Sequence, residues 1–160
     1  MFELNNSKSE PVSKDRLPPD NRQRAELDNI FRETKYHVEL PDGNLVLEVG
    51  EACLKLQKLL REHKTNTWAY ITAENPGSVV MDPEINQREM EKLRLLIEEK
   101  RWRYYPGEGK GEGGYGERSF LILGISLEES IGLGQQLGQL AILFGMAEGV
   151  PELVWCLRDN

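Results

Sequence analysis

The sequence is poor in the residues that build metal centres and disulfide frameworks. Its 160 residues include two cysteines and two histidines, which are too few ligands for a structural zinc site. Cys53 and Cys156 lie far apart within apolar runs, and neither belongs to a C-x-x-C pair. Because a free cysteine behaves as a small apolar residue, we expect two buried free thiols and no metal.

Long apolar runs and an excess of positive charge are also missing. No apolar run approaches the roughly 18 to 20 residues of a membrane-spanning helix, and residues 1–16 lack the apolar core of a secretory signal. The formal net charge is −7, so the chain would repel the phosphate backbone of a nucleic acid. We therefore expect a cytoplasmic protein that binds neither membranes nor nucleic acids.

The first 28 residues differ in composition from the rest of the chain. They are polar, rich in charge and proline, and almost without apolar periodicity, so burial cannot offset the entropy lost on ordering them. This composition predicts a flexible polar tail at residues 1–28 and a single domain at residues 29–160. A short helix from Asp20 to Phe31 also fits the pattern, because Asp20 is a good N-cap.

From residue 34 onward, strand and helix patterns alternate. They predict a β-hairpin around PDGN at 41–44, helices at 51–64, 82–100 and 126–141, strands at 68–74, 102–105 and 119–125, and a closing hairpin around EGVP. The part from Trp68 to about Met146 has the order β-α-β-β-α-β, which is typical of a split βαβ, ferredoxin-like sandwich. We predict an α+β domain with a mixed, mainly antiparallel sheet and helices packed on it. The first hairpin and a helix precede this core.

Glycine is concentrated in two places that need separate interpretations. The stretch from Gly107 to Gly116 contains bare G-x-G-x-x-G patterns, but a predicted strand follows it where a dinucleotide site needs a helix. We interpret it as a mobile hairpin loop and predict no cofactor. Glycine costs about 1 kcal/mol relative to alanine inside a helix. In the last helix, Gly134, Gly138 and Ala141 therefore predict a ridge of small residues packed closely on the sheet.

Polar residues occupy positions where a plain turn or an apolar side chain would be ordinary. The strand at 68–74 runs into ITAENPGS, and Asn86 stands four residues before Met90 on the inward face of the next helix. A strand end, a helix start, the entrance to another strand and the last helix can converge on one edge of a sheet. The residues expected there are Thr72, Glu74, Asn75, Ser78, Asn86, Glu117, Ser119 and Gln139.

Two interpretations of this cluster stay open. In the first, the side chains bond one another and fix the turn, with Asn75 forming an Asx-type bond before Pro76 and Asn86 satisfying loop carbonyls. In the second, the amides at a helix N-terminus, beside Asn and Thr side chains, bind the carboxylate or phosphate of a small anionic or nucleotide-like ligand.

Three motifs occur in order along the chain: ITAENPGS at 71–78, ERSF at 117–120 and GQLA at 138–141. In this order they resemble a family of small soluble bacterial proteins described only as a domain of unknown function, over about residues 36–154. The family pattern usually has an aromatic or acidic residue before the Ser-Phe pair, and Arg118 departs from it. The resemblance implies a shared fold and a shared site, and it brings no established activity.

Three classes of function fit these observations. A non-catalytic small-molecule-binding or regulatory module is favoured. The alternatives are a small hydrolase or transferase with Glu74 or Glu117 as general base, and a protein-interaction domain that uses the N-terminal tail. The sequence has no Ser-His-Asp, Cys-His or metal constellation, and this weighs against the enzyme.

Overall fold

Seven strands form one sheet in the computed structural model, which describes residues 19–111 and 116–156. The helices are α1 (Asn21–Glu33), α2 (Leu54–Glu62), α3 (Pro83–Glu99) and α4 (Leu127–Gln136). The strands are β1 (Lys35–Val38), β2 (Leu45–Leu47), β3 (Thr67–Ile71), β4 (Arg103–Lys110), β5 (Gly116–Leu123), β6 (Ala141–Met146) and β7 (Glu152–Trp155). Their order in the sheet is β2-β1-β4-β5-β3-β6-β7. None of the helices in these residues is long and apolar enough to cross a membrane.

The centre of the fold is the predicted β-α-β-β-α-β unit. Strands β4, β5, β3 and β6 are neighbours in that order, so each βαβ connection skips one strand position. A strand of opposite direction fills the skipped position, and every described strand pair is antiparallel. The prediction of an α+β fold with a ferredoxin-like core is confirmed. The described sheet is purely antiparallel where we expected a mixed one.

Helices cover both faces of the sheet, because successive residues of a strand point to opposite sides. In β3, Trp68 and Tyr70 pack in one apolar cluster with residues of α1 and α2. Ala69 and Ile71 pack in a second cluster with residues of α3 and α4. All four side chains are almost fully buried. The segment after Ile71 therefore leaves the middle of the sheet between two helical layers.

α1 is anchored at its start and packed along its length. The Asp20 carboxylate accepts from the Gln23 N–H, and the Gln23 side chain accepts from the Asp20 N–H, forming a capping box. Leu27 and Phe31 are buried in the first apolar cluster. The helix suggested by the sequence is thus present, and the predicted tail boundary at residue 28 falls inside it. Residues 1–18 lie outside the described residues, and for them the tail stays a prediction.

β4 is longer than the sequence predicts. The expected strand at 102–105 continues to Lys110, and residues 107–110 pair with both β1 and β5. A Cβ atom at Gly107 would lie 2.1 Å from the His37 carbonyl oxygen, so glycine allows the two backbones to approach. The interpretation as a mobile loop is wrong for these four residues, and residues 112–115 lie outside the described part of the chain.

α4 ends earlier than the sequence predicts. It begins at the expected capping box of Ser126, but Gly138 has a φ of 73°, the left-handed conformation that is common just past a helix end. Ala141 is the first residue of β6. The predicted ridge of small residues is therefore reduced to Gly134, where a Cβ atom would lie 2.6 Å from the Cys156 sulfur.

Both cysteines are free thiols, as expected, and the predicted burial holds for Cys156 but not for Cys53. Cys156 is buried in the second apolar cluster, and this burial raises the pKa of its thiol to about 12. Cys53 is half-buried at the residue before α2.

Candidate functional site

The turn after β3 has an unusual backbone. Asn75 and Ser78 have φ angles of 49° and 61°, and Gly77 between them has a φ of 68°. Residues other than glycine seldom adopt positive φ, so the turn depends on contacts that hold it. One contact is internal, because the Ser78 N–H donates to the Asn75 carbonyl at 2.9 Å.

Asn86 supplies much of the remaining support. It lies in the first turn of α3, faces inward as expected, and is 8% exposed. Its Oδ1 accepts from the Asn75 N–H at 3.0 Å, and its Nδ2 donates to Asn75 Oδ1 at 2.8 Å. Asn75 Oδ1 also accepts from the Met81 N–H at 3.0 Å, while Asn75 Nδ2 donates to Glu117 Oε2 at 2.9 Å. The half-buried Asn75 thus connects the turn, α3 and β5.

A second group of contacts joins the end of β3 to β5. The Thr72 hydroxyl donates to the Arg118 carbonyl at 2.6 Å and accepts from the Glu74 N–H at 3.0 Å. Glu74 Oε2 accepts from Arg118 Nε at 2.8 Å. The Glu74 side chain is 8% exposed and that of Arg118 is 51% exposed. The ion pair therefore runs from the protein interior to the surface.

Gln139 also bonds the segment that follows β3. It lies between α4 and β6 rather than on the last helix, where the sequence placed it. Its Nε2 donates to the Glu74 carbonyl at 2.9 Å, and the neighbouring Gly138 carbonyl accepts from the Gly77 N–H at 2.9 Å. The early end of α4 thus brings a backbone carbonyl and a side-chain amide onto the turn.

Glu117 and Ser119 lie on the buried face of β5 that packs against α1 and α2. Ser119 Oγ donates to the Glu117 carbonyl at 3.3 Å, and both side chains are almost fully buried. Burial raises the pKa of the Glu117 carboxyl, the negative charge of Glu74 raises it further, and the bond from Asn75 lowers it. Glu117 is thus a carboxyl with a raised pKa inside the cluster.

The structure brings the predicted site residues together. Seven of them make side-chain hydrogen bonds within the cluster: Thr72, Glu74, Asn75, Asn86, Glu117, Ser119 and Gln139. Ser78 joins them through its backbone and is buried. These contacts have the geometry of a polar network that fixes the turn. Whether these residues also bind a ligand stays a prediction.

A groove of about 580 Å³ adjoins the cluster, on the sheet face that carries α3. Residues of α3, β4 and β5 contribute to it, together with one residue that follows β1. Its lining is Glu39, Gln87, Met90, Glu91, Pro106, Gly107, Glu108, Arg118, Ser119 and Phe120. Of the predicted site residues, only Ser119 borders the groove, although its side chain belongs to the other face of β5.

Arg118 is the functional candidate that the sequence reasoning missed. The sequence marks it only as a departure from the family pattern. Because side chains alternate along a strand, Arg118 lies on the same face of the sheet as Phe120. Its cross-strand partner in β4 is Glu108. The sequence could have indicated Arg118, because a positively charged residue stands there two positions before an aromatic residue, close to the start of a predicted strand. The groove itself depends on where α3 crosses the sheet, for which the sequence has no local pattern.

Metal ligands do not cluster in the part of the chain that the structure describes. No group of three His, Cys, Asp or Glu side chains there is placed to hold a metal ion. The acidic residues of the site are instead paired with Arg118 or with amides. The arrangement can orient a cation and hold a carboxyl of raised pKa.

Part of the chain resembles a known protein family. Neither the curated proteins nor the solved structures contain a match to this chain. A family model does match, and the matched segment includes the turn, α3, β4, β5 and α4. The resemblance to a family without a known activity is thereby confirmed, since residues 71–142 match the family described as a protein of unknown function, DUF3293.

Proposed function

We propose that the protein is a non-catalytic small-molecule-binding module whose ligand occupies the groove between α3 and strands β4 and β5. The observation that carries this proposal is the position of Arg118. Within residues 19–111 and 116–156, the only bond of its side chain is the one from Nε to Glu74. The two terminal nitrogens of a guanidinium held in this way can bind a carboxylate in a bidentate manner.

The groove has the size and the apolar surface that such a ligand needs. Its volume of about 580 Å³ lies within the range of roughly 300 to 1,000 Å³ that is usual for ligand pockets. Met90 and Phe120 are buried beneath it. A ligand with one carboxylate and an apolar part could therefore satisfy Arg118 and cover these two side chains.

The glutamates that line the groove limit the number of negative charges that a bound anion can carry. Glu39, Glu91 and Glu108 line the groove together with the single cation Arg118. Three carboxylates would repel a phosphate or nucleotide that carries several negative charges. A monocarboxylate suits the groove better than the nucleotide-like ligand that the sequence also suggested.

The raised pKa of Glu117 makes a hydrolase or transferase with a glutamate as general base the second candidate function. A carboxyl with a raised pKa suits general acid–base catalysis near neutral pH, and burial raises the pKa of Glu117. The residue is only 3% exposed, however, and its carboxylate accepts from Asn75. A substrate would have to displace part of the network to reach it, so binding in the groove is the function the geometry supports better.

Calorimetric titration of the full chain with apolar monocarboxylates tests the proposal. We expect saturable binding to the unmodified protein, and a stabilisation of about 2.7 kcal/mol at a ligand concentration of 100 times Kd. Arg118→Gln should abolish binding. Arg88→Gln should preserve it, because Arg88 is an exposed α3 residue that does not line the groove. Binding that survives Arg118→Gln, or no binding by any member of the panel, would refute the proposal.

We also propose that the protein is located in the cytoplasm of a bacterium. A cytoplasmic location in a bacterium agrees with two free thiols, since reducing compartments keep cysteines unpaired. Fractionation of a source organism with an antibody to the chain would test the location.

A further inference from the structure

Charges of opposite sign occupy opposite sides of the groove. Arg118 in β5 and Glu108 in β4 are direct cross-strand partners, a position in which opposite charges usually attract each other. Each side chain pairs elsewhere. Arg118 bonds Glu74 on the β3 side, and Glu108 pairs with Lys110 at 3.5 Å along its own strand. The Glu108 carboxyl group lies over Gly116 of β5, where a Cβ atom would be 2.6 Å from it. Arg118 thus gives the groove its cationic side, and the anionic side lies beyond Glu108.

Glu39 forms the anionic side. Its backbone N–H donates to the Pro106 carbonyl at 2.8 Å, which places the residue next to β4. Among the described residues its carboxylate makes no ion pair, and it is exposed at the groove. A cationic group of a ligand could bind there without displacing an existing partner.

An apolar surface adjoins the two charged sides. Pro106 and Phe120 are cross-strand partners two residues along from Glu108 and Arg118, on the same face of the sheet. Met90 of α3 lines the groove as well. A bound molecule that contacts both charged sides would have this surface within reach of an apolar substituent.

Given the proposed function, on which this step rests, we propose that the ligand is a zwitterion of the amino-acid type with an apolar side chain. Its carboxylate binds the terminal nitrogens of Arg118. Its ammonium group binds Glu39, and its side chain covers Phe120. The groove then pairs with both charges of the ligand. A plain anion or a plain cation would pair with only one charged side of the groove.

Three matched forms of one amino acid separate this proposal from its alternatives. The full chain is titrated with phenylalanine, with N-acetylphenylalanine, which keeps only the carboxylate, and with phenylalanine amide, which keeps only the ammonium group. Leucine is tested in the same three forms. We expect at least one zwitterion to bind ten times more tightly than either of its single-charge forms, a difference of about 1.4 kcal/mol.

Variants on each side of the groove assign the two contacts. Arg118→Gln should abolish binding of the acetylated form, weaken the zwitterion at least tenfold and leave the amide unchanged. Glu39→Gln should weaken the zwitterion and the amide and leave the acetylated form unchanged. Arg88→Gln and Glu148→Gln are matched controls at exposed residues outside the groove, and they should leave all three affinities unchanged.

The outcomes distinguish the two proposals. If the acetylated form binds as tightly as the zwitterion and depends on Arg118, the zwitterion is refuted and the carboxylate module survives. If the amide binds best, the zwitterion and the carboxylate module both fail. If none of the six compounds binds, the amino-acid ligand is refuted, and the wider carboxylate panel decides the proposed function.

Discussion

Asn86 bonds both the backbone and the side chain of Asn75: its oxygen accepts from the Asn75 N–H at 3.0 Å, and its nitrogen donates to Asn75 Oδ1 at 2.8 Å. One inward-facing amide thus supports a residue whose φ of 49° is unfavourable for anything but glycine and a few polar residues. The amide pair stabilises a backbone conformation as well as satisfying buried polar groups.

Replacement of Asn86 by leucine should therefore destabilise the protein. The Asn75 N–H would lose its partner and Asn75 Oδ1 would lose one of two, so we expect the free energy of unfolding to fall by about 1 to 3 kcal/mol. Denaturant titration measures the loss, and hydrogen exchange should show a more mobile turn at residues 75–81. Gln87→Leu is the control at the exposed neighbour on α3, where a change within about 0.5 kcal/mol is usual. Unchanged stability of Asn86→Leu would show that the amide pair contributes nothing.

The buried Glu117 carboxyl predicts a stability that depends on pH. Its pKa is raised in the folded state, so its stabilising contribution is greatest below the ordinary carboxyl pKa of about 4.5 and is lost as the pH rises through the raised value. Glu117→Gln keeps an acceptor for Asn75 Nδ2 and removes the charge. We expect the variant to gain stability relative to the unmodified protein as the pH increases from 4 towards 8.

Denaturant titrations across this pH range test the effect. Glu148→Gln serves as a control for the loss of one negative charge at an exposed position. Parallel pH profiles for Glu117→Gln and the unmodified protein would contradict the prediction.

Two glycine-to-alanine substitutions should have opposite effects. A Cβ atom at Gly107 would lie 2.1 Å from the His37 carbonyl oxygen, whereas one at Gly132 would have nothing within 4 Å. Gly107→Ala should destabilise the pairing of β4 with β1 by about 1 to 3 kcal/mol or more. Gly132→Ala should stabilise α4 by up to about 1 kcal/mol. Thermal and denaturant unfolding measure both, and a tolerated Gly107→Ala would show that the two strands are not held so closely.

The packing of α1 is tested at Leu27. This side chain is 1% exposed within the first apolar cluster, so Leu27→Ala should cost about 2 to 5 kcal/mol. Leu54→Ala is the matched control, because Leu54 is 76% exposed at the start of α2. A loss below about 0.5 kcal/mol for Leu27→Ala would mean that α1 contributes little to the folded domain.

Patterns within single segments were readable from the sequence. The order of strands and helices follows from their apolar periodicity, and the inward direction of Asn86 follows from its spacing to Met90. These features depend on residues close together in the chain. They therefore predicted the ferredoxin-like core and the convergence of the polar residues.

Structural features that depend on contacts between distant segments could not be predicted from the sequence. Residues 107–110 have the low β-propensity of glycine and a turn-like composition, yet β1 on one side and β5 on the other hold them in a strand. The groove depends likewise on the position of α3 over two other elements. Tertiary contacts outweigh local propensity at both places.

The pairing of β1 with β4 has a consequence for how the chain can be divided. Residues 71–142 match the family, but this segment excludes β1 and all but the last residue of β3. A fragment cut at these limits would present the outer side of β4 as a long unpaired edge and would leave β5 without its other neighbour. Unpaired edges of this kind recruit strands from other molecules, so such a fragment would aggregate rather than fold alone.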